Sequence, residues 1–240
     1  GGQGEVAVEI FAKEGAKILA TDMSGEPTAR LQNALEGHPN NIKYVSGDMT
    51  EGADLDRVVR ETVSSYGHID VLFNNHGVMV GSPLLETTEE ELDLVLRVNV
   101  RSSFLLCQKV AKSMVDKGIE GSIILNSSVG GLIGFPDMAA YGASKAGVAQ
   151  LSRSMANDLR DHKIRVNAVA PGGIDTPMPH KYLEKFEDRE AIWKAMEQAH
   201  LTGRLGRPEE VIWLVVFLAS DEASFMNGSV VTVDGGYSCV

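Results

Sequence analysis

A chain of 240 residues, 43% of them hydrophobic, is long enough to bury one substantial core and needs no second domain over residues 1–240. With 22 basic against 33 acidic residues the net charge is −11, which argues against nucleic acid and anionic membrane as partners; any phosphate-bearing ligand must be held locally, by backbone amides and helix ends. Two cysteines, Cys107 and Cys239, build no disulfide framework, no apolar run is long enough to span a bilayer, and the start lacks a signal pattern, so a cytoplasmic setting is expected.

Gly1-Gly-Gln-Gly4 leads into a helix over Glu5–Glu14, with Val6, Ile10 and Phe11 at helical spacing and Gly15 as the stop. Glycines opening a helix make either a plain tight turn or a phosphate seat, where backbone and anion come close and the helix N-terminus offers free N–H groups. The strand Lys17–Asp22 favours the seat, because Asp22 stands twenty residues after Gly2, near the spacing at which an acidic residue takes an adenosine ribose. A carboxylate there repels a 2′-phosphate, which favours NAD over NADP. A dinucleotide fold also needs a central strand feeding the glycine turn, whereas this sequence begins inside the turn. A longer natural chain is therefore expected, since the sheet would otherwise expose two strand edges in its core.

A polar helix, Glu26 to Gly37, and a strand, Ile42–Asp48, come next. Asp48 either accepts from an adenine amino group or caps the following helix, near Ala53 to Tyr66. The strand Val71–Asn75 shows no alternation, and such strands separated by helices make a parallel sheet covered on both faces. At its carboxyl end stand Asn74-Asn75-His76-Gly77. Gly77 permits close backbone approach to a ligand; the asparagines either tie the sheet's upper edge to nearby loops or serve as ordinary strand-end residues. His76 reads as a packed or solvated side chain, with nothing beside it to suggest a metal site.

Thr88-Glu-Glu-Glu91 starts a long helix whose apolar face runs through Leu92, Val95, Leu96, Val100, Leu105 and Val110. Asn99 interrupts that face, either as a satisfied core amide that bends the helix or as part of a proton relay to Lys145. The strand Gly121–Ser128 ends in a hydroxyl, and the loop 129–140 carries the chain into a helix running to about Asp161. On that helix Tyr141 and Lys145 are four residues apart and share a face, so the ammonium is expected to stabilise phenolate. Ser128 and the phenol are placed to converge on one carbonyl oxygen. The strand Ile164–Ala170 ends in Pro171-Gly-Gly-Ile-Asp-Thr176, where the Thr176 hydroxyl is available to a carboxamide. Residues 177–205, Met-rich with Trp193 and Met196, read as a substrate lid or a surface excursion; Arg207-Pro-Glu-Glu210 starts the helix to Ala219, and Ser229–Asp234 is the last strand.

Together these motifs resemble the short-chain dehydrogenase/reductase family along the whole chain, the first strand apart. The family's Tyr-x-x-x-Lys falls on Tyr141 and Lys145, its serine on Ser128 and its helix asparagine on Asn99, while Gly2 and Gly4 match the last two glycines of its Thr-Gly-x-x-x-Gly-x-Gly turn. The resemblance implies a single α/β domain of Rossmann type, with a doubly wound parallel sheet of order 3-2-1-4-5-6-7 whose strand 1 is missing from the sequence. It implies hydride transfer between NAD(H) and a secondary alcohol or ketone, with Ser128, Tyr141, Lys145 and Asn99 as the proton-handling set. The cofactor would lie against Gly2, Gly4, Asp22, Asp48, Met49, Asn75, Gly77, Tyr141, Lys145, Pro171, Gly172, Ile174 and Thr176. A small-molecule substrate, no metal, and a homotetramer built through the two long helices and the last helix and strand are likewise implied. Alternatives are an NADPH-dependent 3-oxoacyl thioester reductase and a non-catalytic dinucleotide-binding sensor. Two positions depart from the family pattern: His76 replaces the usual Ala of Asn-Asn-Ala-Gly, and Ser102 stands where Gly commonly follows the helix asparagine.

Overall fold

Strands β4 (Ser122–Asn126) and β5 (Arg165–Pro171) carry apolar residues on both faces, and Ile123, Ile124, Leu125, Val166, Ala168, Val169 and Ala170 are fully buried in the computed structural model, which describes residues 1–239. Side chains alternate across a strand. Ile123 and Leu125 therefore pack with Leu55, Met114, Val148 and Val166 on one side, while Ile124 and Val169 meet Val6, Ile10, Val211 and Val215 on the other. The first side is covered by α3 (Gly52–Tyr66), α5 (Ser102–Lys117) and α6 (Ala139–Asp158), the second by α1 (Gln3–Lys13) and α9 (Pro208–Ala219). Truncating one such side chain, as in Ile124→Ala, costs about 2–5 kcal/mol.

All strand pairs are parallel, but the sheet is in two pieces. β1 (Ile18–Asp22) pairs with β2 (Ile42–Ser46), and β3 (Val71–Asn74) with β4, β5 and β6 (Val230–Val233) in that order. The order, helices on both faces and parallel pairing are those of a doubly wound α/β fold. The free edges of β1 and β3 both line the large cavity described below. The β1–β2 piece has an apolar cluster of its own, in which Val8 and Ala12 of α1 meet Leu31 and Ala34 of α2 (Ala29–Gly37) and Ile42.

Local chemistry sets the helix ends. Thr88 and Glu91 form a reciprocal capping box at α4 (Glu89–Val95), and Gly118, at φ 66°, closes α5 in the left-handed region. α2 starts at Ala29 rather than Glu26 because the Thr28 hydroxyl accepts from Leu31 N, 3.3 Å away. Asp48 does not cap α3: the cap position is Glu51, and Asp48 Oδ1 accepts from Thr50 N at 2.8 Å. The long helix from Glu89 to Lys117 is broken by a π-helical turn, Leu96–Arg101, around Asn99. Segment 177–205 holds α7 (Pro177–Leu183) and α8 (Arg189–Gln198), with Tyr182 packed on Gly81 and His180 stacked on Trp193. Among the described residues no helix is long and apolar enough to cross a membrane.

Candidate active site

A cavity runs between the two pieces of the sheet to the ends of β1, β3, β4 and β5, and Gly2, Asp22, Gly77, Ser128, Tyr141 and Lys145 all reach its wall. Ser128 comes off β4 into a short 3-10 turn, Val129–Gly131, pressed against α6 so closely that a Cβ on Gly131 would stand 2.6 Å from Ala146 N. Only glycine allows that approach. Ser128 Oγ accepts from Gly130 N at 3.1 Å, which leaves its own hydroxyl proton free to donate. Tyr141 is half-buried; its desolvated phenol has a raised pKa, which the Ser128 hydroxyl partly offsets.

The expected acidification of Tyr141 by Lys145 does not appear in this structure. Lys145 is buried, its ammonium donates to Asn126 O at 2.8 Å, and it lies 5.9 Å from the centroid of the Tyr141 ring. Burial pushes the lysine's own pKa down to about 8. Among the described residues only one of its three N–H donors is committed to a protein acceptor, so the others are available to a ligand.

Asn99 is fully buried and its amide is almost fully used. Nδ2 donates to Val78 O at 2.9 Å and Ser144 Oγ at 2.9 Å, and Oδ1 accepts from Val78 N at 2.8 Å. A Cβ on Gly77 would stand 3.1 Å from Asn99 Oδ1 and 3.2 Å from Lys145 Nζ, so these two atoms flank the space that a bare glycine leaves open.

The residues expected to hold a dinucleotide fall into three groups. Gly2, at φ 53°, and Gly4 open α1 with no side chain capping its first N–H groups, which leaves an anion seat facing the cavity. Asp22 ends β1 and accepts from Ser24 N at 3.1 Å, which holds the carboxylate at the end of the strand. Asn75 Oδ1 accepts from Asn126 Nδ2 at 2.8 Å and so joins the ends of β3 and β4. On the far side, Pro171 pairs with Val233, Gly172 packs on Asp234, and Ile174 is buried where its main chain bridges to Gly206. Thr176 lies against the glycine turn, its Cβ 3.4 Å from where a Cβ of Gly2 would be. The Met49 side chain is buried in the core with Leu55 and Val58, beside Asp48 at the cavity wall. A glycine turn, a ribose-height carboxylate, the Gly77 cradle and an ammonium with spare donors fit a nicotinamide dinucleotide.

Three further residues shape the site. Asn126 Nδ2 also donates to Gln3 Oε1 at 3.1 Å, and its buried Oδ1 has no partner; an asparagine closing an apolar strand was the available signal. Ser144 sits inside the Tyr141–Lys145 motif, donates to Tyr141 O at 2.7 Å and receives Asn99 Nδ2. His200 is buried beyond α8, with Nε2 accepting from Gly173 N at 3.0 Å, so its Nδ1–H donates to Met196 O at 2.7 Å. Its sequence neighbourhood gives no sign of this, because Gly173 is 27 residues away.

Comparison with known proteins agrees with this geometry. Residues 2–238 match the family model described as enoyl-(acyl carrier protein) reductase. The chain is 40% identical to 3-oxoacyl-(acyl-carrier-protein) reductase FabG of Thermotoga maritima, over 98% of this chain and 93% of that one. It is 34% identical to the NADP-dependent (R)-specific alcohol dehydrogenase of Lentilactobacillus kefiri, over 99% and 92%. The solved structure of levodione reductase superposes with a TM-score of 0.94 at 34% identity, covering 100% of this chain and 94% of that one. With its doubly wound sheet and a Ser128, Tyr141 and Lys145 cluster at the strand ends, the chain belongs to the short-chain dehydrogenase/reductase family and is an oxidoreductase.

Proposed function

We propose that the protein interconverts a secondary alcohol and a ketone with NAD(H) as the hydride partner. The observation that carries this reading is the convergence of Ser128, Tyr141 and Lys145 on a cavity that also holds the glycine turn and Asp22. The nicotinamide, when bound, supplies or accepts the hydride; the protein supplies placement and electrostatics. In reduction, Tyr141 gives its phenolic proton to the oxygen on which negative charge develops, and Ser128 donates its free hydroxyl proton to the same oxygen. Lys145 uses its spare N–H donors to hold ribose hydroxyls, and the Ser128 hydroxyl favours the phenolate left behind. The uncommitted N–H donors of Lys145 support a water beside it, positioned by Asn99, that returns a proton toward Tyr141. The half-exposed Asp22 supports NAD(H) over NADP(H) by repelling a 2′-phosphate.

Tyr141→Phe tests the reading. Turnover should be abolished with NADH binding nearly intact, and a variant that still turns over would sink the assignment. A panel of ketones with NADH defines the substrate class; tight cofactor binding without turnover on any of them would favour a sensor.

One observation favours a second reading. The relative from Thermotoga maritima is a 3-oxoacyl-(acyl-carrier-protein) reductase by name, so a 3-oxoacyl thioester is the alternative substrate. It would show as reduction of acyl thioesters with NADPH, and Asp22 weighs against it. Segment 177–205, with Met178 and Met196 at the cavity, supports a substrate lid. The exposed Trp213 and Phe217, four apart on α9, and Phe104 on α5 support a homotetramer built through those helices, which light scattering of the purified protein checks.

A further inference from the structure

The two positions that depart from the family pattern touch each other. His76 Nε2 lies 2.5 Å from Ser102 Oγ, and that oxygen lies 2.5 Å from Val98 O. A carbonyl only accepts, so the single hydroxyl proton of Ser102 goes to Val98. The Ser102 oxygen must then accept from His76, which fixes the imidazole as the Nε2–H tautomer. Burial and the nearby Lys145 push the His76 pKa down to about 4, in keeping with a neutral ring.

The connection runs between two particular segments. Val98 is in the π-helical turn Leu96–Arg101, Ser102 is the first residue of α5, and His76 belongs to the loop leaving β3. A second link joins the same segments, since Asn99 bonds both main-chain groups of Val78. Gly77 lies between the two links, its open face toward Asn99 Oδ1 and Lys145 Nζ. One link alone would leave the segment a hinge at Val78. Two links on either side of one glycine fix its position.

We infer that His76 and Ser102 act as one positioning unit, a second strap that, with the Asn99–Val78 strap, holds the Gly77 main chain at its distance from Lys145. The unit works through hydrogen-bond geometry and touches no reacting atom. Its effect on turnover rests on the proposed alcohol and ketone chemistry, but the strap itself does not. Ser102→Gly leaves a buried imidazole N–H without an acceptor, and His76→Ala leaves a hole beside Ser102. Removing both takes away the mismatch together with the strap.

The test is a double-mutant cycle on the full chain with three readouts: kcat, the KM for NADH, and amide exchange at Val78. Each single variant is expected to lose about tenfold in kcat with a smaller change in KM, and to speed Val78 N–H exchange. The double variant should be less impaired than the product of the singles by about fivefold or more. His76→Gln, whose Nε2–H reaches the same acceptor, should recover most of the loss, while His76→Asn, too short, should not. Multiplicative effects in the double variant, no advantage of Gln over Asn, or Val78 exchange unchanged in folded single variants would each overturn the unit. If a single variant fails to fold, the comparison of Gln with Asn still decides. Amide exchange needs no turnover, so loss of the strap is read separately from failure of the proposed reaction.

Discussion

The side-chain amide of Asn99 is locked onto the main chain of Val78, taking its N–H at 2.8 Å and giving to its C=O at 2.9 Å. A side chain on a helix thereby completes the backbone bonding of a loop that has no strand partner. Asn99→Ala should leave both groups of Val78 unpaired and cost about 2 kcal/mol of stability. It should also lower kcat more than Asn99→Asp, which keeps the acceptor for Val78 N. Equal stability of wild type and Asn99→Ala in urea would refute the coupling.

The buried ammonium of Lys145 makes a prediction of opposite sign for stability and activity. Its pKa falls from 10.5 in the unfolded chain to about 8 in the folded one, so folding opposes the charged form. That penalty is fully present below pH 8 and fades as the pH rises to 10.5. Lys145→Met should therefore lose activity yet be more stable at pH 7, by about 1–3 kcal/mol. The advantage should shrink between pH 8 and 10.5. A stability difference independent of pH over that window would show that the charge is not the cause.

Glu210 is the reverse case. Its carboxylate takes hydrogen bonds from Arg204 at 2.7 and 2.9 Å and from Arg207 N at 2.7 Å, and these hold its pKa down to about 2. The resulting stability is present above pH 4.5 and lost as the pH falls toward 2. Since the pair is partly solvated, Glu210→Gln should cost only about 1 kcal/mol at pH 7, and the gap to wild type should close below pH 4. Thermal melts at pH 7 and pH 3 measure it.

The proposed preference for NAD(H) rests on Asp22. Asp22→Ala should raise catalytic efficiency with NADPH about tenfold or more relative to NADH, because the charge facing the 2′ position is removed. An unchanged ratio would mean that the ribose contacts another residue.

Much of this was legible in the sequence because it is local. Strands β4 and β5 announce themselves by apolar runs, interrupted in β5 by Asn167, and Tyr141 and Lys145 share a helix face whatever surrounds them. The start of α2 lies at Ala29 rather than Glu26 because the Thr28 hydroxyl caps it, and of the two readings of Asp48 only the helix cap is excluded. The phenol's raised pKa was hidden for another reason. Sequence spacing gives the proximity of a charge, whereas the penalty of burial depends on the packing of the whole cavity wall. Contacts such as His76 with Ser102 and His200 with Gly173 join residues far apart in the chain, and no spacing rule brings them together.

Asp22 ends β1, whereas Lys145 donates to the last residue of β4, so the two ends of the site belong to different parts of the sheet. A dinucleotide reaching from Asp22 to Lys145 would clasp both. Slowed hydrogen exchange on binding would then be concentrated in Ile18–Asp22 and Ile42–Ser46, with β4 and β5, already buried, changing little.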